Sequence, residues 1–251
     1  MSGRLLRRFG ALAVSGIVLA ACAIQPAIRR PPVDPALVKG NILRLADAEW
    51  NAFGGQTIYL DNGRERIDPV GVWEDERRGS PRIAEYWRSV NEDWSGIDCD
   101  KPWSAAFISW LMLEAGVPPD LFVPSGLHSD YLRAIAASES QPAARFALRD
   151  ARLFAPRPGD LVCATRAGAS IPAFDQIPDG TPMHCDLVTF NAGGRLESIG
   201  GNVRNSVSKT VRQVGLDGLL PGSGDRPWAL VVEDRYPESA PLVSANPAFG
   251  Q

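Results

Sequence analysis

Residues 101–116 read KPWSAAFISWLMLEAG, and this stretch predicts the helix on which the rest of the fold is built. Almost every position in it is apolar or small, and a helix that is apolar on all sides is buried in a core. Pro102 suits the first turn, where a helix does not need the backbone N–H, and Gly116 suits the C-terminal exit. The stretch therefore predicts a buried helix that carries Ser104 in its first turn.

Shorter segments with a helical spacing of apolar residues flank this helix on both sides. They span residues 35–53, 81–94 and 128–137, and residues 54–80 are interpreted as a loop or short hairpin. After Pro156, short apolar runs and period-two alternation take over, which is typical of strands. The strands are predicted at residues 161–164, 184–190, 196–199, 208–214 and 228–232. Helices followed by a run of strands predict an α+β fold.

The N-terminus has the features of a targeting segment. Arginines within the first eight residues precede an apolar stretch over residues 9–21, which is the pattern of a secretory signal and is too short to span a bilayer. The end of this stretch, LAAC over residues 19–22, resembles the lipobox of bacterial lipoproteins. The resemblance implies a signal peptide over residues 1–21 and a lipid-bearing Cys22. A plain secretory signal is the alternative.

The residue after the cysteine is informative about the membrane in which the protein is anchored. In lipoproteins with this signal an Asp at that position marks retention in the inner membrane, whereas Ala23 stands here. The resemblance therefore implies an outer-membrane protein that faces the periplasm and contacts the membrane through its lipid anchor. Residues 22–35 are rich in Pro and Arg and are predicted to form a tether. Residues 36–233 are predicted to form a single domain with its motifs within 101–232, and residues 234–251 a loose tail.

Composition excludes several classes of partner and cofactor. The net charge is −3 and no basic block lies outside the predicted signal, which argues against nucleic acid as a partner. No CxxC pair is present, which argues against a zinc ribbon or a thioredoxin site. A zinc site built from His128, His184 and Asp186 is disfavoured because their spacing matches no closed ligand pattern. No metal or cofactor is predicted.

Only two histidines follow the predicted signal, and this narrows the candidates for acid–base chemistry. Ser104 lies at the start of the buried helix, where the local positive potential favours a nucleophile. His184 opens a predicted strand and can face Ser104 as a base, and Asn202, after the pair Gly200-Gly201, can hold the ring. These residues predict a Ser104/His184/Asn202 site.

Four segments resemble, in order, the CHAP and NlpC-like cell-wall hydrolases. Residues 103–110 (WSAAFISW) are similar to the start of their catalytic helix, 158–162 (PGDLV) to the start of a strand, 184–188 (HCDLV) to the strand with their base, and 199–202 (IGGN) to the segment with a third polar residue. The resemblance implies a papain-like domain, with N-terminal helices packed on an antiparallel sheet of about five strands. It also implies amidase or peptidase activity on peptidoglycan or muropeptides. The lipobox, PWSAAF and HCD together also resemble a bacterial lipoprotein family described only as a domain of unknown function.

The chain departs from the hydrolase pattern at the nucleophile, which is Ser104 in place of Cys. A thiol with a pKa of about 8.5 can form a thiolate–imidazolium pair, whereas a serine needs a base already in position and usually a carboxylate behind that base. Asp186, on the same strand face as His184, is one candidate for that carboxylate, and Asp98 and Asp100 before the helix are others. The alternative is a site that has lost catalysis and only binds peptidoglycan or an envelope protein partner.

The remaining candidate residues have more than one interpretation. His128 is either a capping or core histidine or a pocket-lining group that binds substrate or replaces the lost thiol chemistry, and Trp103 is a candidate for the floor of a substrate groove. Cys163 and Cys185 lie on strands that are neighbours in the resembled fold, which implies a disulfide or a buried thiol pair. A nucleophile moved to Cys185 is disfavoured because adjacent strand residues point to opposite faces. Cys99 stays open as a nucleophile.

Overall fold

The structure is a computed structural model that describes residues 32–61, 63–221 and 228–238. Its elements are α1 (Pro35–Ala52), β1 (Thr57–Asp61), β2 (Arg64–Ile67), α2 (Ser80–Arg88), α3 (Ser104–Ala115), α4 (His128–Ser138), β3 (Phe146–Asp150), β4 (Leu161–Thr165), β5 (Met183–Ala192), β6 (Arg195–Val203), β7 (Ser206–Gln213) and β8 (Trp228–Asp234). The predicted α+β class is confirmed. The described helices include none with both the length and the apolar character needed to cross a membrane.

Some of the predictions fall on residues outside the described part. The predicted signal peptide, the lipidation site Cys22 and most of the predicted tether belong to that group, as do residues 239–251 of the predicted tail. The described start of the tail is packed and not loose. Asp234 ends β8, and Tyr236 is only 4% exposed because its ring packs edge-on against Phe146.

The eight described strands form one sheet in the order β2-β1-β7-β6-β5-β4-β8-β3. Neighbouring strands are antiparallel, except that β1 runs parallel to β7. The strands β4, β5 and β6 are adjacent at the centre of the sheet. The segments 158–162, 184–188 and 199–202, which are far apart in sequence, are therefore brought side by side.

The prediction of about five strands is wrong, because the described sheet has eight. The predicted strands correspond to β4–β8; the strands not predicted as such are β3 and the pair β1 and β2, which form a hairpin within the segment interpreted as a loop or short hairpin. These three strands lie at or next to the two edges of the sheet and have only four or five residues each. Short edge strands that carry charges, such as RERI over residues 64–67, lack the apolar alternation that marks a strand in sequence.

The predicted buried helix is confirmed as α3. Nine of its twelve residues are buried, from Ser104 through Ala115. It ends at Gly116, whose φ of 95° lies in the left-handed region that favours glycine. A Cβ at this position would also come within 2.3 Å of Val33 Cγ2, so the chain before α1 packs against this glycine.

Buried apolar residues form two clusters. The larger one includes residues of all four helices and of the sheet, among them Phe107, Cys185 and Leu187. The smaller one includes Val162 and Val188. Because side chains alternate along a strand, residues 184, 186 and 188 share the face of β5 that Cys185 and Leu187 do not.

Candidate functional site

Three elements begin at the same place in the fold. Ser104 is the first residue of α3, His128 is the first residue of α4, and His184 is the second residue of β5. Their side chains lie close together although the residues are far apart in sequence. All three are nearly sealed from solvent, with 2%, 5% and 3% of their surfaces exposed.

The Ser104 hydroxyl contacts His128. Ser104 Oγ lies 2.7 Å from His128 Nε2, and the other ring nitrogen, Nδ1, is hydrogen-bonded to the hydroxyl of Tyr131. Tyr131 lies three residues after His128 on α4, so both side chains project from one face of the helix. The result is a buried row of three side chains, Ser104–His128–Tyr131, which we call the serine row.

Burial keeps the serine row neutral. The pKa of His128 is held well below its ordinary value, first by burial and then by the neighbouring His184. Burial also raises the pKa of the Tyr131 phenol well above its ordinary value. An unprotonated His128 can accept the Ser104 proton at Nε2 while Nδ1–H donates to Tyr131.

The second imidazole is paired with a carboxylate. His184 Nε2 lies 2.7 Å from Asp186 Oδ1, and Asp186 is fully buried. The Ser198 hydroxyl donates to Asp186 Oδ2 across 3.5 Å. We call His184 and Asp186 the carboxylate pair. The two imidazole rings meet edge to face, with 5.7 Å between the centroids of His128 and His184.

Two glycines before Asn202, Gly200 and Gly201, leave room for the carboxylate pair and for the start of α3. A Cβ on Gly200 would come within 1.8 Å of Asp186 Oδ1, so only glycine leaves room for this carboxylate. A Cβ on Gly201 would come within 2.5 Å of Phe107 Cβ and 2.8 Å of Trp103 Cζ3. Gly201 therefore lets β6 approach the start of α3. The pair lies within β6 and not in a turn after a strand.

The structure brings together some of the predicted site residues in a different pairing. Ser104 is hydrogen-bonded to His128 and not to His184. Asp186 accepts from His184, as one of the candidate carboxylates, whereas Asp100 is an exposed partner of Lys101 away from the site. In the described part of the chain Asn202 makes no hydrogen bond to the His184 ring, although both line the same cavity.

Sequence reasoning named His128 as a pocket residue in one alternative, but it missed the contact of His128 with Ser104 and the role of Tyr131. The sequence did hold a signal for them, because a His and a Tyr three residues apart at the start of a helix share a face. The interpretation of His128 as a core or capping residue described its burial correctly but not its contact with Ser104.

Trp103 is a core residue and not the floor of an open groove. It is 1% exposed, and its indole Nε1 donates to Glu74 Oε2 across 2.7 Å. Burial raises the pKa of the Glu74 carboxyl, and the bond from Trp103 opposes that rise. The indole also stacks on Phe53. These contacts hold the residue that caps α3 directly before Ser104.

A cavity of about 250 Å³ opens beside the carboxylate pair. His184 and Asn202 line it, whereas Ser104 and His128 do not. Its other lining residues are Ile58, Leu60, Glu65, Ala164, Arg166, Val203, Arg204 and Thr210. The open surface of the site therefore lies on the His184 side.

The cysteines are placed away from this chemistry. Cys163 and Cys185 face each other in the register of β4 and β5 and form a disulfide within the larger apolar cluster. Cys99 is a free, exposed thiol whose nearest hydrogen-bond partner is the Gly96 carbonyl. Within the described residues, no group of three acidic, histidine or cysteine side chains is arranged to hold a metal ion.

Comparison with known proteins identifies a family to which the chain is similar. A family model described as "Uncharacterized protein conserved in bacteria (DUF2272)" matches residues 72–240, which is well over half of the chain and contains Ser104, His128, His184 and Asp186. No curated protein and no solved structure matches the chain.

Proposed function

The chain belongs to this bacterial family, and we propose that it is a lipid-anchored serine hydrolase of the cell envelope that cleaves amide or peptide bonds in peptidoglycan. The observation that carries the proposal is the 2.7 Å contact between Ser104 Oγ and His128 Nε2 at the start of a buried helix. A hydroxyl on a neutral imidazole is the arrangement that a serine nucleophile needs.

The proposed reaction is acyl transfer. As Ser104 Oγ attacks the carbonyl carbon of the scissile bond, its proton passes to His128 Nε2, and Tyr131 holds the ring through Nδ1. The protonated His128 then gives this proton to the leaving amine. Backbone N–H groups in the first turn of α3 have no partner within the helix and can stabilise the oxyanion. Water releases the acyl group by the same steps in reverse order.

The carboxylate pair has a supporting part in this mechanism. Tyr131 is a neutral partner and gives little charge stabilisation to a protonated His128. The negative charge of Asp186 lies behind the neighbouring imidazole, and it favours the protonated form of His128. We therefore assign His184 and Asp186 as positioning and electrostatic groups, and His128 as the base.

The proposed substrate and the proposed location are based on the resemblance of the sequence to cell-wall hydrolases and to bacterial lipoproteins. A helix that starts with the nucleophile, followed by PGD, HCD and GGN segments on adjacent strands, supports a papain-like fold. The lipobox-like LAAC segment supports an anchor at Cys22 in the outer membrane. A tether of Pro and Arg residues on that anchor would keep the site within reach of peptidoglycan.

The test is hydrolysis of muropeptides by the full chain purified in detergent. Wild type should release cleaved product, and Ser104→Ala and His128→Ala should each abolish release. Ser170→Ala is a matched control because Ser170 is exposed and lies outside the site. Folded wild-type protein that gives no product from any muropeptide would contradict the proposal.

A second candidate function is peptidoglycan binding without catalysis. The observation in its favour is that Ser104 and His128 are 2% and 5% exposed and do not line the open cavity. This candidate predicts that the chain binds purified cell-wall sacculi and that Ser104→Ala binds equally well. Product release by wild type but not by Ser104→Ala would rule it out.

A further inference from the structure

The cavity beside His184 has an apolar base and a polar wall. Ile58 and Leu60 on β1 and Val203 on β6 supply apolar surface. The polar side chains His184, Asn202 and Thr210 and the charged Arg166 also line the cavity. A volume of about 250 Å³ is below the roughly 300–1,000 Å³ typical of sites for drug-sized ligands, so the cavity suits one end of a larger molecule.

The polar wall has unused hydrogen-bonding groups. Thr210 is 2% exposed, and its hydroxyl has no hydrogen-bond partner among the described residues. His184 is 3% exposed and uses only Nε2, on Asp186, which leaves Nδ1 for a ligand. Neither atom is among the fully buried unpaired atoms of the described residues, so both are open to a ligand in the cavity.

The rim of the cavity carries one uncompensated positive charge. Arg204 is held by Glu65 through two contacts of 2.8 Å, so this pair is neutral overall. Arg166 is exposed, and no described acidic side chain forms an ion pair with it. Its charge reaches the site, because Arg166 is among the groups that lower the pKa of His128. A guanidinium in this position favours a carboxylate.

His184 sets a second requirement for a ligand of this cavity, a hydrogen-bond donor opposite Nδ1. His184 Nε2 lies 2.7 Å from Asp186 Oδ1, and in the tautomer whose Nε2–H donates to this carboxylate oxygen the lone pair lies on Nδ1. The cavity therefore offers an acceptor at Nδ1 and a cation at Arg166. A backbone N–H next to a terminal carboxylate satisfies both.

We propose that this cavity is a subsite for the carboxylate-bearing end of a short peptide. Arg166 and the Asn202 amide bind the terminal carboxylate, and His184 Nδ1 accepts from the backbone N–H of the last residue. The inference rests on the proposed function, since it names the substrate class of that site as peptides with a free C-terminus. It places His184 in contact with substrate while Ser104 and His128 act on the adjacent bond.

The experiment measures binding separately from cleavage. Full chain carrying Ser104→Ala is titrated, by calorimetry, with Ala-Ala-Ala as the free acid and as the C-terminal amide, each in its L and D forms. We expect the free acid of at least one form to bind about tenfold more tightly than its amide, since one charge-assisted contact is lost in the amide. Adding Arg166→Gln should reduce the affinity for the acid to that for the amide.

Arg77→Gln is the matched control, because Arg77 is an exposed arginine that does not line the cavity. It should leave the preference for the acid unchanged. Equal affinity for acid and amide, no binding of either, or an unchanged preference in folded Arg166→Gln would each overturn the inference. If muropeptide hydrolysis by wild type is seen without this preference, the subsite is wrong and the hydrolase proposal stands. If the preference is seen without hydrolysis, the hydrolase proposal fails and the cavity is a binding site.

Discussion

The serine row and the carboxylate pair are two versions of one arrangement, an imidazole held at 2.7 Å by an oxygen. In the serine row the ring lies between two hydroxyls and does not line the open cavity. In the carboxylate pair the ring has a buried carboxylate on one nitrogen and lines an open cavity. The nucleophile Ser104 and the carboxylate of Asp186 are therefore hydrogen-bonded to different histidines. The two rings meet edge to face with their centroids 5.7 Å apart.

The largest expected effect is on the rate of hydrolysis, and it should differ between variants of the two histidines. His128→Gln should lower the rate of muropeptide hydrolysis by about 10²–10⁴-fold, the range for loss of a general base. His184→Gln should lower it by about tenfold, because the base remains and only the ring that lies between Asp186 and His128 is lost. Steady-state kinetics of the two variants would check this. A greater loss from His184→Gln than from His128→Gln would reverse the roles assigned to the two residues.

Alanine in place of Gly200 and alanine in place of Gly201 should each destabilise a different part of the site. Gly200→Ala puts a Cβ against the Asp186 carboxylate, and Gly201→Ala puts one against Phe107 and Trp103. Each should lower the free energy of unfolding by about 1–3 kcal/mol, the usual cost of overpacking a core. Urea denaturation measures both.

A double variant provides the control for the first of these substitutions. Asp186→Ala removes the atom that the new methyl group meets, so Gly200→Ala should cost less in that background. It should give no such relief to Gly201→Ala. Equal costs of Gly200→Ala with and without Asp186 would show that the contact with this carboxylate is not the cause.

The two candidate carboxylates should differ in a matched pair of substitutions. Asp186→Asn keeps the shape but removes the charge behind His184, and hydrolysis should fall by about tenfold. Asp100→Asn should leave hydrolysis unchanged, because Asp100 is an exposed partner of Lys101. Kinetics of both variants at one pH would test this, and a loss from Asp100→Asn would place a functional group before α3.

The smallest expected effect is on the pH dependence of stability. Since the folded pKa of His128 is depressed, the unfolded chain binds a proton below about pH 6.5 that the native state refuses. The free energy of unfolding of wild type, relative to His128→Gln, should therefore decrease as the pH falls through 6.5. Urea titrations of both proteins between pH 5 and 8 measure the difference. A difference that is constant or rises toward low pH would contradict a neutral His128.

Much of the fold could be predicted from the sequence. The four helices and the strands β4–β8 follow from strong apolar patterns, and α3 in particular is marked by its Pro and Gly boundaries. Strand β3 was not predicted, and β1 and β2 were covered only by the alternative of a short hairpin, because strands of four or five residues are too short to show a clear period-two pattern. Their place is decided by pairing with strands that are distant in sequence.

The candidate site could be predicted only in part. Ser104, His184 and Asp186 were identified because a helix start and an alternating strand fix local positions well. The hydrogen-bond partner of Ser104 was not identified. A loop of about a dozen residues between α3 and α4 decides whether His128 or His184 reaches the hydroxyl.

The sequence by itself determined which residues are available for chemistry: Ser104 at a helix start, two histidines, and Asp186 on the same strand face as His184. These are local facts, because helix and strand periodicity follow from neighbouring residues. The tertiary structure alone decided that His128 binds the nucleophile and that His184 faces the cavity. It did so by bringing the starts of α3, α4 and β5 to one point, where burial keeps one histidine neutral and a buried carboxylate holds the other.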